Sequence, residues 1–244
     1  MNSPSPSNLL QSRAGINDLA MSSPVIVFDL DGTLIDTAPD LVASLNIVFA
    51  REGLPPVPYA AARNLIGGGA RTMIMRGIEA EGRVIAPSEI DRMFKDFIAH
   101  YAEHIADHSR PFPGLSGALD ALDAGGYRLA VCTNKLERLS ILLLKQLGLA
   151  ERFAFICGQD TFGMQKPDPE VLRRTVAAVG GSLQNTIMIG DSINDIRVAR
   201  AAGVPVIAVD FGYTDQPVSE LGPDRVISDF SQLPAALTEL CAAN

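Results

Sequence analysis

The sequence lacks the features that would place it in a membrane or on a polyanion. No apolar run in its 244 residues approaches the roughly 18–20 needed for a membrane span. A formal net charge of −8 argues against a surface built for nucleic acid or anionic lipid. It does not forbid a phosphorylated substrate, which responds to local donors and metal rather than to the total. Cysteine is scarce: Cys132, Cys157 and Cys241 are odd in number and show no paired spacing. Cys132 and Cys157 lie inside apolar runs, as small core residues of a reducing compartment do. Neither a cysteine–metal site nor a cysteine nucleophile is supported. Residues 1–20 are rich in Ser, Asn and Pro near the start and have no long apolar stretch, so they do not read as a signal peptide. The leader, 1–22, is expected to be disordered, with Met21 a candidate true start. No internal repeat is visible. What remains is a cytoplasmic globular protein of one or two domains.

What is there begins with Val25-Ile-Val-Phe-Asp29-Leu-Asp31-Gly-Thr33-Leu-Ile-Asp36. Val25 to Phe28 reads as a strand buried on both faces, as in the centre of a parallel sheet. Extended geometry would point Asp29 and Asp31 to one side, because side chains alternate with a period of two. Gly32 then allows a sharp turn. Paired carboxylates repel, so they call for a proton, a cation or both. Magnesium, a hard ion that prefers oxygen ligands, fits that demand. Asp-Gly is also an ordinary turn signal after a strand, and this stretch alone leaves both readings open.

Thr37 and Pro39 mark a helix start, continued by Leu41, Leu45, Val48 and Phe49 and ended by Gly53. Leu-Pro-Pro-Val-Pro reads as a linker. A second helix is expected from about Ala70 to Glu81. A third opens at the capping-box-like Ser88-x-x-Asp91 and runs through Phe94, Phe97, Tyr101 and Ile105. The methionines and aromatics of this block read as its core. After Phe112-Pro-Gly114 the pattern alternates. Strands are expected at Tyr127–Cys132, Phe153–Cys157, Thr186–Ile189, Val204–Val209 and Val226–Ile227, with helices between them and a last helix from Ser231 to Ala242. Such alternation implies a parallel sheet with right-handed crossovers. The fold class is α/β, a doubly wound, Rossmann-like core formed by residues 23–37 and 109–244. The helical residues 38–108 are inserted as a cap domain.

Three further stretches sit at or near carboxyl ends of strands, where a doubly wound sheet builds its site. These are Thr133-Asn134-Lys135, Lys166-Pro-Asp-Pro-Glu and Gly190-Asp191-Ser-Ile-Asn-Asp195. Singly, each has a plain alternative: Thr133-Asn134 as a helix cap, Lys166 as a surface lysine, Ser192-x-x-Asp195 as a capping box. Together they suit phosphoryl transfer, which needs a nucleophile, a proton donor and acceptor, and positive charge around phosphate oxygens.

The set resembles the haloacid dehalogenase superfamily of phosphohydrolases, whose four motifs all have counterparts, in order, from Val25 almost to the end. The resemblance implies Asp29 as nucleophile and Asp31 as the group that protonates the leaving oxygen and then activates water. It implies that Thr133, Asn134 and Lys166 hold the phosphoryl group. Magnesium would be bound by Asp29, the main-chain carbonyl of Asp31 and Asp191, with Asp195 supporting. Asp31 also excludes the dehalogenase branch, which has no acidic residue there. The cap, Thr133-Asn134-Lys135 and Lys166-Pro-Asp-Pro are most similar to the phosphoglycolate phosphatase subfamily. The implied reaction is hydrolysis of a small phosphorylated metabolite, 2-phosphoglycolate first, by a monomer or homodimer. A sugar-phosphate phosphatase, a phosphosugar mutase and a non-catalytic phosphate-binding regulator are the alternatives. Gly67-Gly68-Gly69-Ala70-Arg71 is the cap loop expected to reach the site, either closing on it with the backbone of Gly68 and Gly69 or presenting Arg71 to a substrate carboxylate, with a plain helix-start turn as the alternative reading.

Overall fold

The computed structural model describes residues 23–214 and 216–242, so the expectations for the leader and Met21 lie outside the described residues. The chain opens in β1 (Val25–Phe28), buried throughout, and passes through the two-residue strand β2 (Ile35–Asp36). Four helices follow: α1 (Ala38–Arg51), α2 (Tyr59–Arg63), α3 (Ala70–Ala80) and α4 (Pro87–Glu103). Strand β3 (Arg110–Pro111) returns antiparallel beside β2. Then come α5 (Leu115–Ala124), β4 (Arg128–Cys132), α6 (Glu137–Gln146), β5 (Phe155–Cys157), α7 (Pro169–Ala178), β6 (Thr186–Gly190), α8 (Ile193–Ala202), β7 (Val206–Val209), β8 (Arg225–Ile227) and α9 (Leu233–Ala242).

Six strands form one parallel sheet in the order β5-β4-β1-β6-β7-β8. The two-residue period of β1 feeds two apolar clusters. Ile26 and Phe28 join Leu129, Val131 and Ile189 beneath α5, α6 and α9. Val25 and Val27 join Ala130, Cys132 and Met188 beneath α7 and α8. The sheet is therefore covered on both faces, the expected doubly wound α/β class. Winding runs outward to β5 and then reverses across β1 to β6, which gathers the loops after β1, β4 and β6 at one end. Cys132 and Cys157 are buried free thiols, as their apolar surroundings suggest.

The helices between β2 and β3 share the first cluster, through Leu41, Leu45, Phe49, Met73, Phe97 and Tyr101. Two local expectations are corrected, and one helix is added. The third helix starts at Pro87, not at a Ser88 cap: proline suits the first turn and drives Ala86 extended, and the Glu89 carboxylate accepts the Ala86 N–H at 3.1 Å. Part of the stretch after the Leu-Pro-Pro-Val-Pro linker forms α2, too short to show apolar periodicity. Thr37 does stand before α1, but its hydroxyl donates to Asp31 Oδ1 at 2.8 Å instead of capping. The Ala38 N–H donates to the Tyr213 hydroxyl at 2.9 Å instead. Where the chain returns, buried Asp40 accepts from the backbone N–H groups of His108 and Ser109 and from the Ser109 hydroxyl.

Candidate active site

The site forms where β1, β4 and β6 end. Pairing continues one residue past β1, with Asp29 N–H donating to Ile189 O at 2.8 Å, which fixes the Asp29 side chain at the sheet's edge. The chain then turns at Gly32, whose φ of +85° strains any residue with a Cβ. A Cβ there would also stand 2.4 Å from Asp191 Oδ2, so the turn and the third carboxylate need glycine together. Beyond β6, Asp191 accepts from the Thr33 hydroxyl at 3.0 Å and the Tyr213 N–H at 2.7 Å. Ser192 caps α8 in a reciprocal box with Asp195, whose Oδ2 accepts the Ser192 N–H and hydroxyl at 3.0 and 2.7 Å. Ser192-x-x-Asp195 does form a capping box, and the same fold places Asp195 beside Asp29 and Asp191.

Asp29, Asp191 and Asp195 each bring a carboxylate oxygen within 4.8 Å of the others, all buried. Lys166 Nζ lies between two of them, 2.8 Å from Asp29 Oδ1 and 2.6 Å from Asp195 Oδ1. Asn134 holds that lysine's backbone from both sides: its Oδ1 accepts the Lys166 N–H at 2.9 Å and its Nδ2 donates to Lys166 O at 3.2 Å. At Asp29 Oδ1 the Lys166 ammonium is the one protein partner among the described residues. Three carboxylates against one ammonium leave an excess of negative charge. Burial, only partly offset by Lys166, pushes the Asp29 carboxyl up to about 6. Burial and then the charges of Asp29 and Asp195 push Asp191 up to about 8. For Lys166 burial pulls down, but Asp195 and Asp29 outweigh it and raise the ammonium well above its ordinary value. An all-oxygen, over-negative donor set fits a hard divalent cation.

Asp31 faces elsewhere. Its carboxylate accepts from Lys135 Nζ at 2.9 and 3.1 Å and from Thr37, so any metal contact from Asp31 would fall to its main chain. Asp29, Asp31, Thr133, Lys135 and Gln159 line one cavity of about 40 Å³ (the space open to the centre of a water molecule), whose other wall comes from the helices above. The Gly67 carbonyl closes that wall, accepting from Asn134 Nδ2 and Asn194 Nδ2 at 3.2 Å each.

A profile of haloacid dehalogenase-like hydrolases matches residues 26–209. The chain belongs to that family. Among curated relatives of this hydrolase, a phosphoglycolate phosphatase of Mesorhizobium japonicum is 50% identical, over 90% of this chain and 96% of the relative. One from Agrobacterium fabrum is 50% identical over 89% and 93%. The crystal structure of a predicted phosphoglycolate phosphatase from Haemophilus somnus 129pt superposes with a TM-score of 0.83 at 29% identity, covering 88% of this chain and 98% of that one.

The hydrolase brings most of its expected site residues together but not all. Arg71 does not line the cavity. It is paired with Asp91 and lies over the Phe94 ring, 5.6 Å from its centroid, because its place on α3 turns it toward α4. Gly69 reaches the cavity, where a Cβ would stand 2.9 Å from both Asn134 O and Gln159 Oε1, whereas Gly68 packs against Thr72 outside it. Asn134, expected on the phosphate, makes its side-chain bonds to the backbone of Lys166 and Gly67. Three participants carry no sequence expectation of a role: Lys135, Tyr101 and Tyr213. Lys135 adjoins Thr133 and could have been flagged by that alone. Tyr101 is indistinguishable from core by its helical spacing, and Tyr213 stands in a loop without a motif.

Proposed function

We propose that the protein is a magnesium-dependent phosphatase of a small phosphorylated acid, 2-phosphoglycolate first, working in the cytoplasm through an aspartyl phosphate on Asp29. The observation that carries this reading is the division of labour among the clustered carboxylates. Asp191 and Asp195 are each tied by two or more hydrogen bonds, while Asp29 is held through its side chain by the Lys166 ammonium and alone of the three lines the cavity. Residues 38–108 act as the cap over a core of residues 23–37 and 109–244. The names of the relatives supply the substrate.

In the first step an Asp29 oxygen attacks phosphorus, the ester P–O bond breaks, and Asp31 gives its proton to the leaving oxygen. In the second, Asp31 takes a proton from water, the water oxygen bonds to phosphorus, and the bond to Asp29 breaks to release phosphate. Thr133 and Lys166 hold the phosphoryl oxygens, and Asn134 fixes Lys166. Asp29, Asp191 and the main-chain carbonyl of Asp31 would hold magnesium, with Asp195 supporting. Bound there, the ion supplies positive charge to the transferring phosphoryl group. Thr37 and Lys135 keep Asp31 turned toward the leaving group.

The test is phosphate release with magnesium from 2-phosphoglycolate, hexose phosphates, nucleotides and pyrophosphate, with Asp29→Asn as blank. Preference for 2-phosphoglycolate, abolished in a folded Asp29→Asn, is expected. Near-normal turnover by that variant, or no release from any monoester, would overturn the reading.

A further inference from the structure

We propose that Lys135 Nζ and the Tyr101 hydroxyl form a subsite for a carboxylate on the carbon that bears the leaving oxygen, so that these two residues, not Arg71, select an acidic substrate. This rests on the phosphatase reading above. Among the described residues, two carboxylates, Asp29 and Asp31, line the cavity, and Lys135 is the one cationic side chain that does. With the phosphoryl group placed at Asp29 and Lys166, a second anionic group beside Asp31 finds its compensating charge in that ammonium.

Lys135 is almost fully buried and donates to Asp31 and, at 2.9 Å, to the Tyr101 oxygen. Its Nζ also lies 4.4 Å from the Tyr101 ring centroid. Tyr101 is fully buried, and its own hydroxyl proton has no protein acceptor among the described residues. A buried donor without an acceptor is costly, which a ligand oxygen would relieve. Burial, then the charges of Asp31 and Asp40, hold the phenol well above its ordinary value, so it remains a donor. Around the pair the wall is apolar, with Leu41, Phe97, Ile98 and Leu139, and among the described residues it offers no second cation.

Connectivity places the carboxylate. In 2-phosphoglycolate the carboxylate shares a carbon with the leaving oxygen, and that oxygen must touch Asp31 to be protonated. The group beside Asp31 is Lys135. Size agrees: by the same measure as the cavity volume, one water needs about 10–15 Å³, so the cavity of about 40 Å³ holds roughly three or four waters, a space suited to a two-carbon acid.

The discriminating pair is 2-phosphoglycolate against 2-hydroxyethyl phosphate, which replaces the carboxylate by a neutral CH₂OH. Wild-type enzyme is expected to favour the acid by about 100-fold or more in kcat/KM. Tyr101→Phe removes only the hydroxyl and should cut that preference roughly 10-fold or more, with a larger fall for the acid than for the neutral ester. Lys135→Met should bring the ratio close to one. If Lys135 serves only to position Asp31, both substrates fall together and the ratio stays as in wild type; that result, or an unchanged ratio in Tyr101→Phe, overturns the subsite. A wild-type enzyme that hydrolyses both esters equally defeats this inference alone. One that hydrolyses neither, nor any other monoester, defeats the phosphatase reading itself.

Discussion

Burial and then neighbouring carboxylates raise the Asp29 carboxyl to about 6 and the Asp191 carboxyl to about 8, so between the ordinary carboxylate range and those values the fold keeps protons that the unfolded chain releases. Their contribution to stability without metal is complete below the ordinary carboxylate range, near 4, and is lost as pH rises through about 6 and about 8. A divalent cation replaces those protons. The rise in Tm on adding magnesium should therefore be larger at about pH 8.5 than at about pH 5.5, measured by thermal unfolding. A shift that shrinks with pH would show that the cluster does not take the ion. At this scale the sequence was legible wherever chemistry and strand ends coincided, as at Asp29, Asp31, Thr133 and Asp191, and at Lys166 just before α7. It was illegible where one helix turn decides direction. Arg71 and Tyr101 both lie on helices of the inserted block, yet α4 captures the arginine outside the cavity while turning its own tyrosine into it.

The elements that join the inserted helices to the sheet are held by side chains rather than by length of pairing. Strands β2 and β3 contribute two residues each, too few for a period-two pattern, so no hydropathy reading would find them. Asp40 compensates, tying the first turn of α1 to the returning backbone at His108 and Ser109. Asp40→Ala would leave two backbone donors and a buried hydroxyl without their acceptor. It should destabilise the protein by about 2–4 kcal/mol in urea or thermal unfolding; a loss under about 0.5 kcal/mol would mean that water or a shifted backbone replaces the carboxylate. Most helices and strands were readable from periodicity and glycine stops. The start of α4 was not, because Ser88-x-x-Asp91 and Ala86-Pro87 compete for it and proline's fixed φ wins.

For the molecule as a whole, one contiguous apolar cluster runs from the sheet into the inserted helices, and polar contacts latch them shut above the site. Arg63 donates to Gly212 O at 3.0 Å and lies over the Tyr213 ring, while the Gly67 carbonyl receives the two asparagine amides. The doubly wound order was legible because each strand is a short apolar run ending in a polar site residue or a glycine-bounded turn. The latch was not: Arg63 and Tyr213 are 150 residues apart and carry no shared motif. Closure makes sense of the chemistry, since an acyl phosphate should meet water only where Asp31 can control it. The most direct test of that chemistry is to quench the enzyme during turnover of 2-phosphoglycolate, reduce it with borohydride, and map the peptide spanning residues 23–51 by mass spectrometry. An acyl phosphate is reduced to the alcohol, so homoserine at position 29 is the expected result. Sustained turnover with Asp29 always recovered as aspartate, or homoserine at another position, would contradict the nucleophile assigned here.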